Sequence, residues 1–495
     1  MRNKISHGVF VAASLILPLL LFSFIAYNNY GYDDEISSIR HVESYSSLHS
    51  LIKAHFSWNF VDIHFFDIHP LGQYVINYVL LKILGSWPLV RVAGALVVSL
   101  SLWFFWSYMV AKKWKDSFAL ALSYILICLN PSVMLWCTGL RWYTYFLPLL
   151  CLMGILFEPP AFLDSRKYLF WGLYFLTASV MFFIETSAGL MISVSFVLLL
   201  CQRRARLKQE IGALIIFGLL SLAVVSPQIY IFLTVLYPNA KNSGEFYSFM
   251  SSFVGGGQNF LSGHAVIPVS FPGVILITAN LVMFVVLAMN IRDTLSSWRN
   301  KFFILSYSAI IAAKIGGKIR NFISTSALLG AFVTDTFTHI KNRKLKIFLL
   351  CLYIIGTICG IHNVMFHSNT TKGSWNTPYG EVIAFLESYD PEKKCPVVSH
   401  DPVFNYHAGL HGFDVIIAER NYNWLGRLKN MEGTVIILQT FKGSMPNDDY
   451  KKFNQYIDSR KIILEKRFGY DKYAGFKRIF NKECPDYYAV ILVTE

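Results

Sequence analysis

The sequence has 495 residues, of which 54% are hydrophobic and only 15% are charged. Soluble proteins carry roughly 25% charged residues, so this composition excludes an ordinary soluble enzyme and indicates an integral membrane protein. The formal net charge is +14, but the basic residues fall in short clusters between apolar runs. That pattern is typical of cytoplasmic loops, so we expect the partners to be a lipid bilayer and lipid phosphates, and no nucleic acid.

The first element is an apolar run over residues 8–27. It is long enough to span a bilayer, for which a helix needs about 20 apolar residues. Arg2 and Lys4 precede it, so the positive-inside rule places the N-terminus in the cytoplasm. The run has no small-residue cleavage site of the Ala-x-Ala type, and we interpret it as a retained anchor.

Three consecutive acids, Asp33, Asp34 and Glu35, lie in the outer loop 28–70 that follows. A cluster of like charges raises the pKa of a carboxyl group, which suits a general base. Apolar residues of this loop recur at helical spacing, which predicts short helices lying on the membrane surface. The alternative is a solvated loop whose charges only mark topology. Residues 71–85 are apolar but short, and form either a further surface helix or the start of the second span.

Apolar runs and basic clusters alternate through the next part of the chain and predict about eleven transmembrane helices. The predicted spans are 8–27, 87–110, 117–130, 134–157, 168–185, 187–201, 211–236, 272–291, 302–313, 321–338 and 347–366. Asn130 and Pro131 are predicted to form the turn between the third and fourth spans. An odd number of spans places the remainder of the chain outside. The basic clusters agree with this parity except for Lys314, Lys318 and Arg320, which fall on the outer side.

Residues 367–495 differ from the transmembrane domain 1–366 and predict a small α/β domain on the outer side. Helical patterns cover 380–389 and 448–458, and extended patterns cover 397–399, 415–418, 435–438 and 487–493. No Walker loop, Rossmann fingerprint or serine nucleophile elbow occurs in the sequence. Cys395 and Cys484 are the two cysteines of this domain, and an oxidising compartment favours a disulfide between them over two free thiols.

Four short motifs follow one another in the first third of the chain. They are Asp34-Glu35, the Asp-x-His-Pro-Leu element of residues 67–71, the run LVRVAGAL of residues 89–96, and the Arg-x-Tyr element of residues 141–143. In this order they resemble the GT-C superfamily of multi-spanning glycosyltransferases, close to the protein mannosyltransferases and aminoarabinose transferases. The resemblance covers about residues 5–160. Gly139 replaces a Glu common before the Arg-x-Tyr element, and Gly72 follows Leu71 where relatives often have a second proline nearby.

The resemblance implies an α-helical GT-C membrane fold and transfer of a sugar from a polyprenyl-phosphate carrier, with inversion at the anomeric carbon. It implies that Asp34 is the general base, with Asp33 as the rival, and that Glu35 orients the acceptor or Asp34. Asp67 is a second acid that binds acceptor hydroxyls or a divalent ion, and His69 contacts the phosphate or holds the loop. Members of the superfamily differ in their use of metal, so a divalent cation is allowed, but no metal site or other cofactor is predicted.

The leaving phosphate requires cations at the outer membrane boundary. Arg141 has the forked geometry that matches a phosphate, with Tyr143 beside it. The alternative for this pair is an interfacial anchor in an aromatic belt. Further candidates are the outer basic residues Lys314, Lys318 and Arg320, which otherwise snorkel to the interface. Glu185 lies in an apolar context, which favours either a functional carboxylate facing a cavity or a helix cap.

The size and layout resemble serotype-modifying glucosyltransferases. We therefore expect an undecaprenyl-phosphate-linked hexose, with glucose as the first choice, to be moved to an envelope glycan such as lipopolysaccharide O-antigen. The site would face the periplasm of a bacterial inner membrane. Alternatives are transfer to protein or to lipid A by the same chemistry, or a non-enzymatic lipid or glycan transporter. Transporters usually carry internal repeats with interrupted helices, and none is evident in the sequence.

Overall fold

The computed structural model describes most of the chain in segments. The described residues are 12–27, 33–57, 70–112, 116–236, 271–312, 319–366, 379–399, 401–417, 434–440, 455–457, 459–468 and 488–494. The chain divides into two compact units, one covering Met1–Asn29 and Ser37–Val364 and the other covering Tyr30–Ile36 and Met365–Glu495. The predicted division at residue 366, and the outer location of the second domain, stay predictions.

The first unit is built from α-helices. In chain order these are α1 Ile16–Tyr27, α2 Asp33–Glu43, α3 Leu48–Ser57, α4 Leu71–Leu84, α5 Trp87–Lys112, α6 Ser117–Cys128, α7 Pro131–Trp136, α8 Trp142–Leu156, α9 Ala161–Asp164, α10 Lys167–Ile184, α11 Ala188–Gln202, α12 Leu207–Ile231, α13 Phe271–Met289, α14 Ile291–Thr294, α15 Trp298–Ala312, α16 Ser326–Thr338 and α17 Arg343–Phe366. Helix α2 begins in the stretch assigned to the second unit. Short 3-10 helices cover Arg204–Arg206 and Ile319–Thr325, and a π-helix covers Phe232–Leu236.

Several of these helices have the length and hydropathy of membrane spans. Five described stretches are long and apolar enough to cross a bilayer, namely Trp87–Met109, Ser117–Trp136, Lys167–Ile184, Arg204–Thr234 and Arg343–His362. On α12 the apolar side chains of Leu219 and Leu222 are 62% and 55% exposed, as expected for a lipid-facing surface. The predicted integral membrane protein is thereby confirmed. The count of eleven spans and the orientation of the termini stay predictions.

The turn predicted at Asn130 and Pro131 is wrong. Asn130 instead caps a new helix, α7, because its side-chain oxygen accepts hydrogen bonds from the backbone N–H groups of Ser132 at 3.0 Å and Val133 at 3.2 Å. Pro131 occupies the first helical position, where a missing N–H costs nothing. The chain therefore continues to Trp136 and turns over residues 137–141 before α8 begins.

Close helix packing forms the core of the first unit. Helix α5 packs against α1, α6 and α8, and α16 packs against α6. The buried Trp106 of α5 donates its indole N–H to Ser123 Oγ of α6 at 2.9 Å. A Cβ added at Gly330 of α16 would lie 2.9 Å from Ile127 Cγ1, so the absence of a side chain permits this approach. These contacts join α5, α6, α8 and α16 into one packed core.

One group of helix ends is joined by ion pairs, and we call it the ionic end. Arg203, at the end of α11, binds Asp164 at 2.8 Å and Glu210 of α12 at 2.6 Å. Arg206 binds the second oxygen of Asp164 at 2.7 Å. Gln202 donates to the Phe157 carbonyl of the α8 end at 2.9 Å. The C-terminal ends of α8 and α11 therefore meet the start of α12.

The ionic end continues through two further charged contacts. The fully buried Arg299 of α15 binds Asp335 of α16 and approaches Glu158, beyond α8, at 3.7 Å. Lys346 of α17 binds Asp116, the residue that precedes α6, at 2.5 Å. Arg203, Arg299 and Lys346 come from three of the basic clusters, and each is paired with a carboxylate from another element.

The second unit contains a five-stranded sheet. Its elements are α18 Tyr379–Tyr389, β1 Val397–Ser399, α19 Pro402–Leu410, β2 Val415–Ile417, β3 Val435–Thr440, β4 Lys461–Phe468 and β5 Tyr488–Thr494. The strand order is β2-β1-β3-β5-β4, with β1 parallel to β2 and β3, and β5 antiparallel to both neighbours. The predicted small α/β architecture is confirmed. Helix α19 and strand β4 were not predicted, and the predicted helix 448–458 lies largely outside the described residues.

Candidate active site

The three acids stand at the start of α2. The helix begins at Asp33, so all three occupy its first turn, where the positive end of the helix dipole favours negative charge. Glu35 is fully buried. The side chains of Asp33 and Asp34 lie outside the described set. The acidic motif is therefore part of a helix, and whether its charges are catalytic or only mark topology stays a prediction.

Arg141 contacts the same helix. It precedes α8, is only 4% exposed, and donates from Nη1 to Ser38 Oγ at 3.3 Å. Ser38 follows Glu35 by one turn of α2, so residues separated by 103 positions meet. The structure thus places Arg141, a predicted phosphate-binding cation, against Ser38 in the part of α2 that belongs to the first unit.

Tyr143 is part of the protein interior. It is 2% exposed, and its ring lies 5.2 Å from Trp142 and 6.1 Å from Trp136, centroid to centroid. Its backbone carbonyl is 3.8 Å from Cys137 Sγ across the turn. An anchor exposed at the membrane interface is therefore excluded for Tyr143. Its role towards phosphate stays a prediction.

The turn over residues 137–141 is held by side chains that the sequence reading missed. Asn77 of α4 donates from Nδ2 to the Leu140 carbonyl at 3.0 Å, and the Tyr145 hydroxyl donates to Asn77 Oδ1. Thr144 Oγ1 donates to the Gly139 carbonyl at 2.7 Å. These bonds fix the backbone next to Arg141. The signal available in the sequence was an asparagine within a mostly apolar helix.

A contact between backbones places α4. A Cβ at Gly72 would lie 2.6 Å from the Phe183 carbonyl oxygen, so only glycine allows α4 to touch the end of α10. Gly72, which departs from the family pattern, therefore has a packing reason here. Glu185 lies two residues beyond Phe183 and accepts a hydrogen bond from the Ser187 N–H at 3.0 Å. The structure assigns Glu185 a capping contact at the start of α11, and any further role stays a prediction.

Two histidines, one on α2 and one on α3, form an aromatic cluster with α4. The ring centroid of His41 lies 5.2 Å from that of His55 and 4.6 Å from that of Tyr74. Burial lowers the pKa of His41 to about 4, and burial together with the nearby His41 lowers the pKa of His55 to about 3. Both imidazoles are therefore neutral near pH 7. They support α2 against α3 and α4 and supply no positive charge for a phosphate.

Several predicted site residues fall outside the described part of the chain. These are Asp67, His69, Lys314 and Lys318, together with the side chain of Arg320. The 3-10 helix Ile319–Thr325, which contains Arg320, packs against α7 and α8 on either side of the 137–141 turn. In the second unit, the Cys395 N–H donates to Asp390 Oδ2 at 2.7 Å. Cys484 lies outside the described residues, so the disulfide stays a prediction.

Metal ligation was left open by the sequence. Within the described ranges, no three His, Cys, Asp or Glu side chains are grouped as a metal site. The side chains of Asp33, Asp34 and Asp67 are not among those described. A divalent cation at the acidic motif is therefore still allowed by the family resemblance, and it is not predicted.

The fold has solved counterparts. The chain is similar to the crystal structure of ArnT from Cupriavidus metallidurans in the apo state, with a TM-score of 0.54 and 10% identity, over 99% of this chain and 98% of that chain. It is also similar to the same protein bound to undecaprenyl phosphate, with a TM-score of 0.50 and 10% identity, over 98% and 97%. No family model and no curated protein matches the sequence. The chain therefore has the fold of ArnT, as its resemblance to the aminoarabinose transferases predicted.

Proposed function

We propose that this protein is an inverting membrane glycosyltransferase that uses a polyprenyl-phosphate-linked sugar as its donor. The observation that carries the proposal is the full-length fold shared with a protein crystallised with undecaprenyl phosphate, combined with Arg141 bound to the helix that begins with the acids. A membrane enzyme of this kind needs a base for the acceptor hydroxyl and a cation for the departing phosphate. Both residue types occur on the contacting elements α2 and the start of α8.

The proposed reaction is a single displacement. Asp34 takes the proton of the acceptor hydroxyl, with Asp33 as the rival base and Glu35 orienting one of the reactants. The acceptor oxygen then bonds to the anomeric carbon from the face opposite the phosphate, which inverts the configuration. The bond from that carbon to the phosphate oxygen breaks, and its electron pair leaves with the polyprenyl phosphate.

The remaining residues serve the two substrates in this proposal. Arg141 neutralises the charge that develops on the leaving phosphate, and a guanidinium fork suits two phosphate oxygens. Further phosphate contacts are assigned to Tyr143, Lys314, Lys318 and Arg320. Asp67 is proposed to bind acceptor hydroxyls or a divalent ion, and His69 to contact the phosphate or hold the loop.

The proposed donor is undecaprenyl-phosphate-linked glucose, and the proposed acceptor is a hydroxyl of an envelope glycan such as lipopolysaccharide O-antigen. The reaction would take place on the periplasmic face of a bacterial inner membrane. Transfer to protein or to lipid A by the same chemistry is the alternative. Mass spectrometry of envelope glycans from cells with and without the protein identifies the sugar and the acceptor.

The decisive test neutralises the acids. Asp34→Asn should lower transfer from undecaprenyl-phosphate-glucose by roughly 10²- to 10⁴-fold, the usual contribution of a general base. Glu43→Gln is the matched control, since Glu43 ends the same helix and accepts a hydrogen bond from Trp87 Nε1 at 2.7 Å. Continued transfer with both Asp33 and Asp34 neutralised would show that the base lies elsewhere. Movement of lipid without transfer would favour a transporter.

A further inference from the structure

Two stretches of membrane length begin beside each other at the ionic end. They are Lys167–Ile184, which is α10, and Arg204–Thr234, which contains α12. Lys167 Nζ donates to the Gln209 carbonyl at 2.8 Å, so the first residue of α10 lies next to the first turn of α12. In a bilayer, the ends of such stretches reach the level of the lipid headgroups.

The two helices stay together and run in the same direction. Trp171 Nε1 donates to Glu210 Oε2 at 2.9 Å, and further along the hydroxyls of Ser179 and Ser221 are 2.7 Å apart. The residue numbers at these contacts increase along both helices, so α10 and α12 are parallel neighbours. Both helices therefore start at the same membrane boundary, and the charges at their starts belong to one surface.

Positive charge is in excess where the two helices start. The segments 161–168 and 202–210 contain six arginine and lysine residues but only two carboxylates. Both carboxylates are bound by Arg203, and one of them is also bound by Arg206. The other four cations form no ion pair within the described ranges, and three of them are exposed while the second is partly exposed. We call these four the basic corner: Arg166, Lys167, Arg204 and Lys208.

Exposed apolar side chains continue directly from the basic corner. Tyr168 of α10 is 54% exposed, and Ile211 and Ile215 of α12 are each 50% exposed. Lys208, Ile211 and Ile215 share one face of α12, because residues three and four apart align on a helix. Along this face a cation is thus followed by an exposed apolar stripe. A phospholipid has the same order of groups, with a phosphate followed by hydrocarbon chains.

We propose that the basic corner binds the headgroup of an anionic phospholipid, with the acyl chains against the exposed stripe of α12. Cations at a membrane boundary attract anionic lipids, and basic pockets between membrane helices bind headgroups such as that of cardiolipin. The basic corner draws its cations from the starts of two parallel helices, which suits a headgroup with two phosphates. Arginine adds forked hydrogen bonds to phosphate oxygens. This proposal is independent of the proposed sugar transfer.

The test measures lipid retention by the full-length protein. The protein in dodecyl maltoside micelles is titrated with cardiolipin or with phosphatidylcholine, and native mass spectrometry counts the lipid molecules that stay bound. We expect wild type to bind cardiolipin at least about tenfold more tightly than phosphatidylcholine. The triple variant Arg166→Gln, Arg204→Gln, Lys208→Gln should bind cardiolipin roughly 10- to 100-fold more weakly, because each cation near a lipid phosphate contributes several-fold in affinity.

The matched control removes the same charge elsewhere at the ionic end. Lys341→Gln, Arg343→Gln and Lys344→Gln neutralise three exposed cations around the start of α17. These cations belong to a single stretch of chain, so this variant should bind cardiolipin within about twofold of wild type. If the first triple variant does not accumulate as folded protein, Lys208→Gln alone should weaken cardiolipin binding by about three- to fivefold.

Three outcomes overturn the proposal. In the first, wild type binds cardiolipin no better than phosphatidylcholine. In the second, both triple variants lose cardiolipin equally, which would assign the attraction to the overall charge of the ionic end. In the third, inorganic phosphate displaces cardiolipin more effectively than sodium chloride of equal ionic strength, which would assign the basic corner to a free anion. Sugar transfer enters none of these measurements, so a failure of the proposed function is distinguishable from them.

Discussion

The two ends of the helical unit treat polar groups differently. At the ionic end, Arg203 and Arg299 each meet carboxylates from other elements. At the opposite end, Arg141 contacts a serine hydroxyl, and Gln73 has no hydrogen-bond partner within the described ranges. Matched charges join the helices at the ionic end. The catalytic role proposed for the other end stays a prediction.

The largest expected effects come from exchanging the buried arginines Arg299 and Arg141 for uncharged residues. Arg299→Leu leaves Asp335 without its guanidinium, and breaking a buried pair in this way costs about 3–5 kcal/mol. We expect poor accumulation or a strongly lowered melting temperature in detergent. Arg141→Gln should lower transfer by at least about 10²-fold, since the electrostatic contact to the leaving group proposed above is lost. A stable Arg299 variant, or full transfer by the Arg141 variant, would contradict this comparison.

A larger side chain at Gly72 should affect the rate of sugar transfer and the stability of the protein unequally. Gly72→Ala adds a Cβ 2.6 Å from the Phe183 carbonyl oxygen, so α4 must shift. Such overpacking costs typically about 1–3 kcal/mol, and a displacement near 1 Å can lower a rate by roughly 10²-fold. We therefore expect a large fall in the rate of transfer together with a small fall in the melting temperature. Gly212→Ala, on α12 with open space around it, is the matched control and should change neither measurement.

Acidification should destabilise the packing of α2, α3 and α4 through the histidines of α2 and α3. An unfolded histidine binds a proton near its usual pKa of 6.5, whereas His41 and His55 do so in the folded protein only near pH 4 and 3. Their contribution to stability is therefore complete above pH 6.5 and is lost as the pH falls towards 4. The melting temperature should decline across this window and decline less in a His41→Phe, His55→Phe variant. His339→Gln serves as the control, and equal slopes for all three proteins would refute the assignment.

The smallest effect is expected at an exposed ion pair. Arg206 is 51% exposed and shares Asp164 with the buried Arg203. Burial alone would raise the pKa of Asp164, but hydrogen bonds from both arginines hold it below its usual 3.8. Arg206→Gln should therefore cost at most about 1 kcal/mol, an effect that added salt weakens, as is usual for surface pairs. Arg203→Gln should cost clearly more. Melting temperatures at low and high salt, measured side by side, provide the check.

Much of the helical unit was predictable because hydrophobicity is a local property. The apolar runs around α5, α10 and α12 were identified from their length and composition, and so was the small α/β segment. The predicted turn at Pro131 was wrong because a proline can either follow the end of a helix or occupy the first position of a new one. The sequence alone does not say which of the two applies. Strand β4 was missed because most of its described side chains are exposed, so it shows little of the alternation that marks a strand.

The candidate site was only partly predictable for a different reason. Asp34 and Arg141 were selected by residue type and by their order along the chain. Asn77 was not, because a polar residue in an apolar helix gains its meaning from what lies opposite. Glu185 was left between a functional and a capping role, and the structure provides the capping contact to Ser187.

The sequence by itself determined that this chain enters the membrane, that acids follow its first apolar run, and in what order its elements occur. These properties depend on neighbouring residues and on the free energy of moving them into lipid. Only the tertiary structure decided that Arg141 meets Ser38, that Asn77 holds the turn before Arg141, and that Gly72 touches α10. Those contacts depend on which helices pack together, and pairing between distant helices is not encoded in any single stretch.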